Sequence, residues 1–120
     1  MTTDPRPTEG VHPDHPDLDR DRADLVIRKG FRRAVDSYSA FFENDRRTST
    51  GLTGYLRDRG LTDLRFVGLA HDFCVAWSAI DAARLGFSAT VIEEATRAID
   101  LNGSREAAQA AMREAGVTLA

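Results

Sequence analysis

A chain of 120 residues has room for one domain and one core, burying roughly two thirds of its unfolded surface. Its 16 basic and 19 acidic side chains are interleaved, and a net charge of -3 gives no footprint for nucleic acid or an anionic membrane. No apolar run reaches bilayer-spanning length, the N-terminus lacks a basic, then apolar leader, and one cysteine forms no internal disulfide, so the reducing cytoplasm is the expected compartment.

In chain order, all four prolines, Pro5, Pro7, Pro13 and Pro16, come first, among Asp14, Asp17, Asp19 and Asp21 and with almost nothing apolar to bury. Residues 1–22 therefore read as an extended arm and residues 23–120 as the folded domain. Leu25-Val26-Ile27 is a short apolar run expected to form a strand just before Lys29. Between Gly30 and Ser49 a connection without clear periodicity carries Phe31, Tyr38, Phe41 and Phe42, and so many rings argue for an ordered, functional loop. Phe41 and Phe42 are expected to cover the core. Tyr38 is the candidate pocket wall, because its ring can line an apolar cavity while its hydroxyl finds a polar partner.

From Ser49 onward the pattern simplifies. Leu52, Tyr55 and Leu56 mark a short amphipathic helix ending at Gly60, and Leu64 to Leu69 reads as a strand. Ala70-His71-Asp72 is expected to be a tight turn, followed by a helix from Phe73 to Leu85 with Trp77, Ile80 and Ala83 on one side and Gly86 as its stop. Ala89 to Ile92 is a further strand. Ser104 is expected to cap a helix striped with Ala108, Ala111, Met112 and Ala115, closed by Gly116 before Val117-Thr118-Leu119. Alternating strands and helices predict an α/β fold with a parallel sheet, right-handed crossovers and flanking helices, in which ligands bind beyond the carboxyl ends of strands.

Two residues carry the chemistry. Cys74, the only cysteine, falls at the start of the helix that follows a strand, where unpaired backbone N–H groups and the positive end of the helix dipole favour a thiolate. Lys29 is the only lysine among 16 basic residues, and its compact ammonium can sit beside a thiolate where a planar guanidinium fits less well. Both follow the carboxyl end of an expected strand.

Gly68-Leu69-Ala70-His71-Asp72-Phe73-Cys74-Val75 resembles the nucleophile turn of the isochorismatase-like cysteine hydrolases. Lys29-Gly30 followed by Asp36-Ser37-Tyr38-Ser39-Ala40-Phe41-Phe42 resembles the nicotinamidase (pyrazinamidase) branch, and Asp81 to Gly86 and the final helix agree. The resemblance covers roughly residues 15 to 120, nearly all of the chain after the arm. It implies a three-layer, Rossmann-like fold and hydrolysis of nicotinamide to nicotinate and ammonia, a step of NAD salvage, through a cysteine thioester. By motif, Cys74 is the nucleophile, Lys29 its charged partner, and the backbone N–H groups of Ala70 and Cys74 the oxyanion hole; Tyr38, the candidate pocket wall, is the expected substrate contact.

The resemblance also implies elements that this sequence does not carry. The family's catalytic aspartate, in an Asp-x-Gln-x-Asp-Phe type motif, and its ligands for a divalent metal (zinc, iron or manganese) belong to segments upstream of the matched region. No such motif occurs here, and no residue is assigned as a metal ligand. His12 and His15 flank Pro13 in the arm, and His71, where the family more often has threonine, is expected to face solvent. The expected domain is thus partial, with its N-terminal strands missing and the chain alone inactive. Two missing central strands would leave unpaired edges that favour a second copy or a complementing chain as partner. Another cysteine amidase of the superfamily and a non-catalytic interaction module are the alternative readings; the partner expected for an enzyme is a small-molecule amide, not nucleic acid or membrane.

Overall fold

The computed structural model describes residues 23, 25–27 and 38–120. The expected arm and Lys29 lie outside the described residues, as do Phe31 and the histidines at 12 and 15. Three strands, β1 (Asp63–Leu69), β2 (Ser88–Arg97) and β3 (Thr118–Leu119), form a parallel sheet in the order β1-β2-β3. A helix α1 (Leu52–Asp58) precedes β1, α2 (Ala76–Arg84) links β1 to β2, and α3 (Ser104–Glu114) links β2 to β3. This is the α/β arrangement that the alternation predicts. No helix among the described residues is long and apolar enough to cross a membrane.

The strand period of two decides what β1 buries. Phe66 is buried and Leu64 packs against the core, while Asp63, Arg65, Val67 and Leu69 lie exposed on the other face. In β2 the buried residues are Ala89 and Val91, with Thr96 buried further along. Against them α2 sets a row of small side chains, Ala76, Ala79 and Ala82, all fully or almost fully buried, so helix and sheet approach closely. The expected face of Trp77, Ile80 and Ala83 is instead the half-buried flank of α2, because the larger side chains are crowded away from the close contact. In α3, Met112 and Ala108 are buried and Ala111 is exposed. Phe41 is fully buried and its ring stacks on Phe87 at 6.1 Å, which places the segment before α1 in the same core.

Both long helices stop in the same way. Past α2, Gly86 takes φ 96° and donates to the Ala83 carbonyl while Phe87 donates to Ala82; past α3, Gly116 takes φ 91° and donates to Arg113 while Val117 donates to Met112. Each is a Schellman closure whose left-handed position suits glycine, and each drops a buried apolar residue into the core at the start of the next strand. Two expectations are corrected. Leu25-Val26-Ile27 is not a strand: Ile27 packs on the core, but none of the three joins the sheet, whose β1 edge has no partner among the described residues. The N-cap of α3 is Gly103, because the Ser104 hydroxyl donates to Asp72 and accepts from the Leu101 amide.

The junction between β1 and α2 differs from the expected tight turn. Residues His71–Val75 form a π-helical turn that runs directly into α2, with Val75 N–H donating to the Ala70 carbonyl at 3.0 Å and Ala76 N–H to that of His71. The peptide between Leu69 and Ala70 is cis. Asp72, 5% exposed, turns away from the helix axis and accepts from Ile99 N–H at 3.0 Å, Asp100 N–H at 2.7 Å and the Ser104 hydroxyl. The carboxylate thereby pins the turn to the connection that leads from β2 into α3.

Burial pushes the Asp72 carboxyl up, but the Ser104 hydroxyl and the two amides together outweigh it and hold the pKa below the ordinary 3.8. A depressed folded-state value means the contribution is fully present above pH 3.8 and is lost as pH falls below it, where the unfolded chain binds more protons. Asp72→Ala, which removes the one buried acceptor shared by two amides and a hydroxyl, is expected to lower unfolding free energy by about 2 kcal/mol. In urea unfolding followed by circular dichroism, Asp72→Asn should lack the part of the acid-side decline that the wild-type chain shows below pH 4; identical acid limbs would show that the carboxylate is not the fastener.

Candidate active site

Cys74 sits inside the π-helical turn, half-buried, at the N-terminal end of the helical run that continues as α2. Such a turn fits an extra residue between hydrogen-bonded partners, and it lifts this side chain out of the regular α-helical row. The thiol lines a cavity of about 60 Å³ together with Tyr38, Arg65, Phe66, Val67 and Ser78. That is space for about two water molecules, well below the usual size of a small-molecule site. The lining residues of β1 belong to the edge strand of the sheet, whose far side has no partner among the described residues.

Tyr38 stands in this cavity as part of an aromatic wall. Its ring lies 5.7 Å from that of Phe73 and meets Trp77 edge-on at 5.1 Å, and the Arg46 guanidinium covers Trp77 at 4.9 Å. The segment carrying it is ordered by its own polar side chains. Tyr38 N–H donates to Asn44 Oδ1, Phe42 bridges Ser49 in antiparallel fashion, and Asp45 accepts from the Arg47 and Thr48 amides. Ala40 N–H donates to the buried Ser78 hydroxyl at 2.8 Å, which ties the segment to α2 one turn beyond the nucleophile turn. The described residues therefore bring Tyr38, Ala70 and Cys74 to one junction. Lys29 lies outside them.

His71 is a correction. It does not face solvent: it is 2% exposed, with Nε2 3.2 Å from Glu93 Oε1. The reason lies in β2, where the register slips. Phe66 pairs with Val91 but Gly68 pairs with Thr96, so the stretch carrying Glu93 bulges out of the ladder with β1, while Glu93 N–H still donates to the Ala120 carbonyl beyond β3. Thr96 closes the bulge by donating to the Glu93 carbonyl at 2.7 Å, and Gln109 from α3 donates to Glu93 Oε1 at 2.8 Å. The Gln109 hydrogen bond is foremost in holding the Glu93 carboxyl below its ordinary range; burial opposes it, and His71 and Arg105 add to the lowering. His71 and Glu93 line a separate cavity of about 310 Å³ with Thr96, Arg97, Asp100 and Arg105, which shares no residue with that of Cys74.

Neither His71, Asp72 nor Glu93 is marked as functional by its spacing, and the only local signal is an acid in a strand-to-helix turn. Among the described residues no three His, Cys, Asp or Glu side chains gather to hold a metal ion. They do not fit the divalent metal that the resemblance implies, and no chemical step is derived through it. No carboxylate among the described residues lines the Cys74 cavity.

The isochorismatase domain profile matches residues 4–120. The chain is 56% identical over 103 residues to the nicotinamidase of Acinetobacter baylyi, an alignment covering 86% of this chain and 48% of that one. Its structure superposes on the Acinetobacter baumanii nicotinamidase and pyrazinamidase with a TM-score of 0.84 at 55% identity, covering 88% of this chain and 51% of that one. On the L. infantum protein solved in complex with nicotinate the TM-score is 0.82 at 42% identity, covering 88% and 52%. The chain spans about half the length of the curated relatives it matches. The profile match spans nearly the whole chain and the superposition extends over most of it, and the chain belongs to the isochorismatase family.

Proposed function

We propose that this chain supplies the nucleophile-bearing part of a nicotinamidase, which hydrolyses nicotinamide to nicotinate and ammonia. The observation that carries the reading is Cys74 in a π-helical turn at a helix N-terminus, opening onto a cavity walled by Tyr38. The relatives named nicotinamidase, and the one whose structure holds nicotinate, support the choice of amide.

In this reading the Cys74 sulfur attacks the carboxamide carbon and the C–N bond breaks as ammonia leaves, giving a thioester. The backbone N–H groups of Ala70 and Cys74 stabilise the tetrahedral oxyanion, where preorganised donors act most strongly because water is excluded. Water then attacks the thioester, returning the thiol and releasing nicotinate. The proton donor to ammonia is assigned to an aspartate outside the described residues, Lys29 to the stabilisation of the thiolate, and Tyr38 to an edge or face contact with the pyridine ring.

The direct test joins this chain to the portion of the Acinetobacter baylyi relative that it does not span and measures ammonia released from nicotinamide. Activity is expected, with Cys74→Ala lowering kcat by at least about 10³-fold. A folded chimera without hydrolysis, or one in which Cys74→Ala keeps it, would refute the reading.

The role given to Lys29 has its own measurement. Removing an ammonium beside a thiolate lowers the reactive fraction, so Lys29→Ala in the chimera is expected to slow iodoacetamide alkylation of Cys74 at pH 7 by about 3- to 10-fold. Equal rates would remove Lys29 from the site.

A further inference from the structure

The cysteine is held in place by what happens three residues ahead of it. The His71 carbonyl accepts the Ala76 N–H, and that hydrogen bond encloses Asp72, Phe73, Cys74 and Val75 in one wide loop of backbone. Fixing His71 therefore fixes one end of the segment that presents the thiol. Its side chain is fixed too, buried to 2% exposure with Nε2 3.2 Å from Glu93 Oε1. A carboxylate only accepts, so Nε2 carries the proton in that contact whatever the charge of the ring. The same oxygen receives Gln109 at 2.8 Å. One ring thus joins the nucleophile turn to the bulge of β2 and, through Glu93, to α3, on the side that does not line the Cys74 cavity.

We propose that His71 is a positioning residue for Cys74: its Nε2–H bond to Glu93 sets the attitude of the π-helical turn, and so the direction in which the thiol enters its cavity. The inference rests on the reading of Cys74 as the nucleophile. Asp72 clamps the same turn from the next residue, but its partners lie at Ile99, Asp100 and Ser104, so the two anchors are separate and can be removed separately. The bulge has a use on this view. With β2 in regular register, Glu93 would stay in the ladder of β1 instead of meeting the histidine beside α3.

Native-state hydrogen exchange on the full 120-residue chain tests the anchor without any substrate. His71→Ala and Glu93→Ala are each expected to speed exchange at the Val75 and Ala76 amides by about 10-fold while leaving the Val117 amide, bonded to Met112, within about 2-fold. His71→Gln, which keeps an N–H donor at similar reach, is expected to stay within about 3-fold of the wild type at all three. Glu93 is 31% exposed in its side chain, so its substitution carries the test if His71→Ala does not fold. Unchanged exchange at Val75 and Ala76, or equal acceleration at Val117, overturns the proposal. In the chimera, His71→Ala should lower kcat about 10-fold with the KM for nicotinamide within about 2-fold, and His71→Gln should restore it. A KM rise with kcat unchanged overturns the positioning role. Should the chimera fail to hydrolyse nicotinamide while the exchange pattern holds, the nicotinamidase reading falls and the anchor stands.

Discussion

The Asp72 carboxylate is the constraint on which the geometry of this chain hangs. Buried and accepting from two amides and a hydroxyl of the β2–α3 connection, it binds together the two strand-to-helix junctions at the carboxyl ends of β1 and β2. Neither junction could shift alone without taking hydrogen bonds away from this buried carboxylate. The π-helical turn is the backbone's accommodation to this demand. It keeps helical hydrogen bonding while letting an acidic side chain reach outward to a neighbouring loop, and it leaves Cys74 on the inner side.

The packing beneath that junction explains why it can be rigid. The small residues Ala76, Ala79 and Ala82 bring α2 close to the sheet immediately after the turn, and the buried hydroxyl of Ser78 recruits the loop that carries Tyr38. Cys74, Phe73 and Trp77 are therefore set on one short helical run, with Tyr38 brought against it from the loop. Position is established by the core, and the polar contacts refine it.

Much of this was legible in the letters where the determinant is local. The apolar run from Leu64 to Leu69, and the glycines after α1, α2 and α3, depend on a residue and its near neighbours alone, and those elements stand where they were expected. What escaped depends on partners distant in sequence. The slip between Phe66 and Gly68 exists only when β2 lies against β1, and without it nothing links His71 to a glutamate 22 residues later. Ser104 has the composition of a cap, yet Asp72, 32 residues earlier, takes its hydroxyl. Leu25-Val26-Ile27 has a strand's composition without a strand's neighbour among the described residues. Cys74 stood out by its place after a strand and Tyr38 by its aromatic segment, while the Ala70 role came only from the motif resemblance.

The exposed face of β1 changes character along its length. Asp63 and Arg65 charge the first half, whereas Val67 and Leu69, 45% and 52% exposed, leave the second half apolar beside the cavity of Cys74. Whatever shields that stretch from water therefore also controls which oxidants reach the sulfur. These 120 residues hold no second thiol, so a sulfenic acid formed at Cys74 has no neighbour within them to resolve it as a disulfide. Its recovery would fall to a thiol from outside these residues, and cover over the β1 edge would slow damage and repair alike.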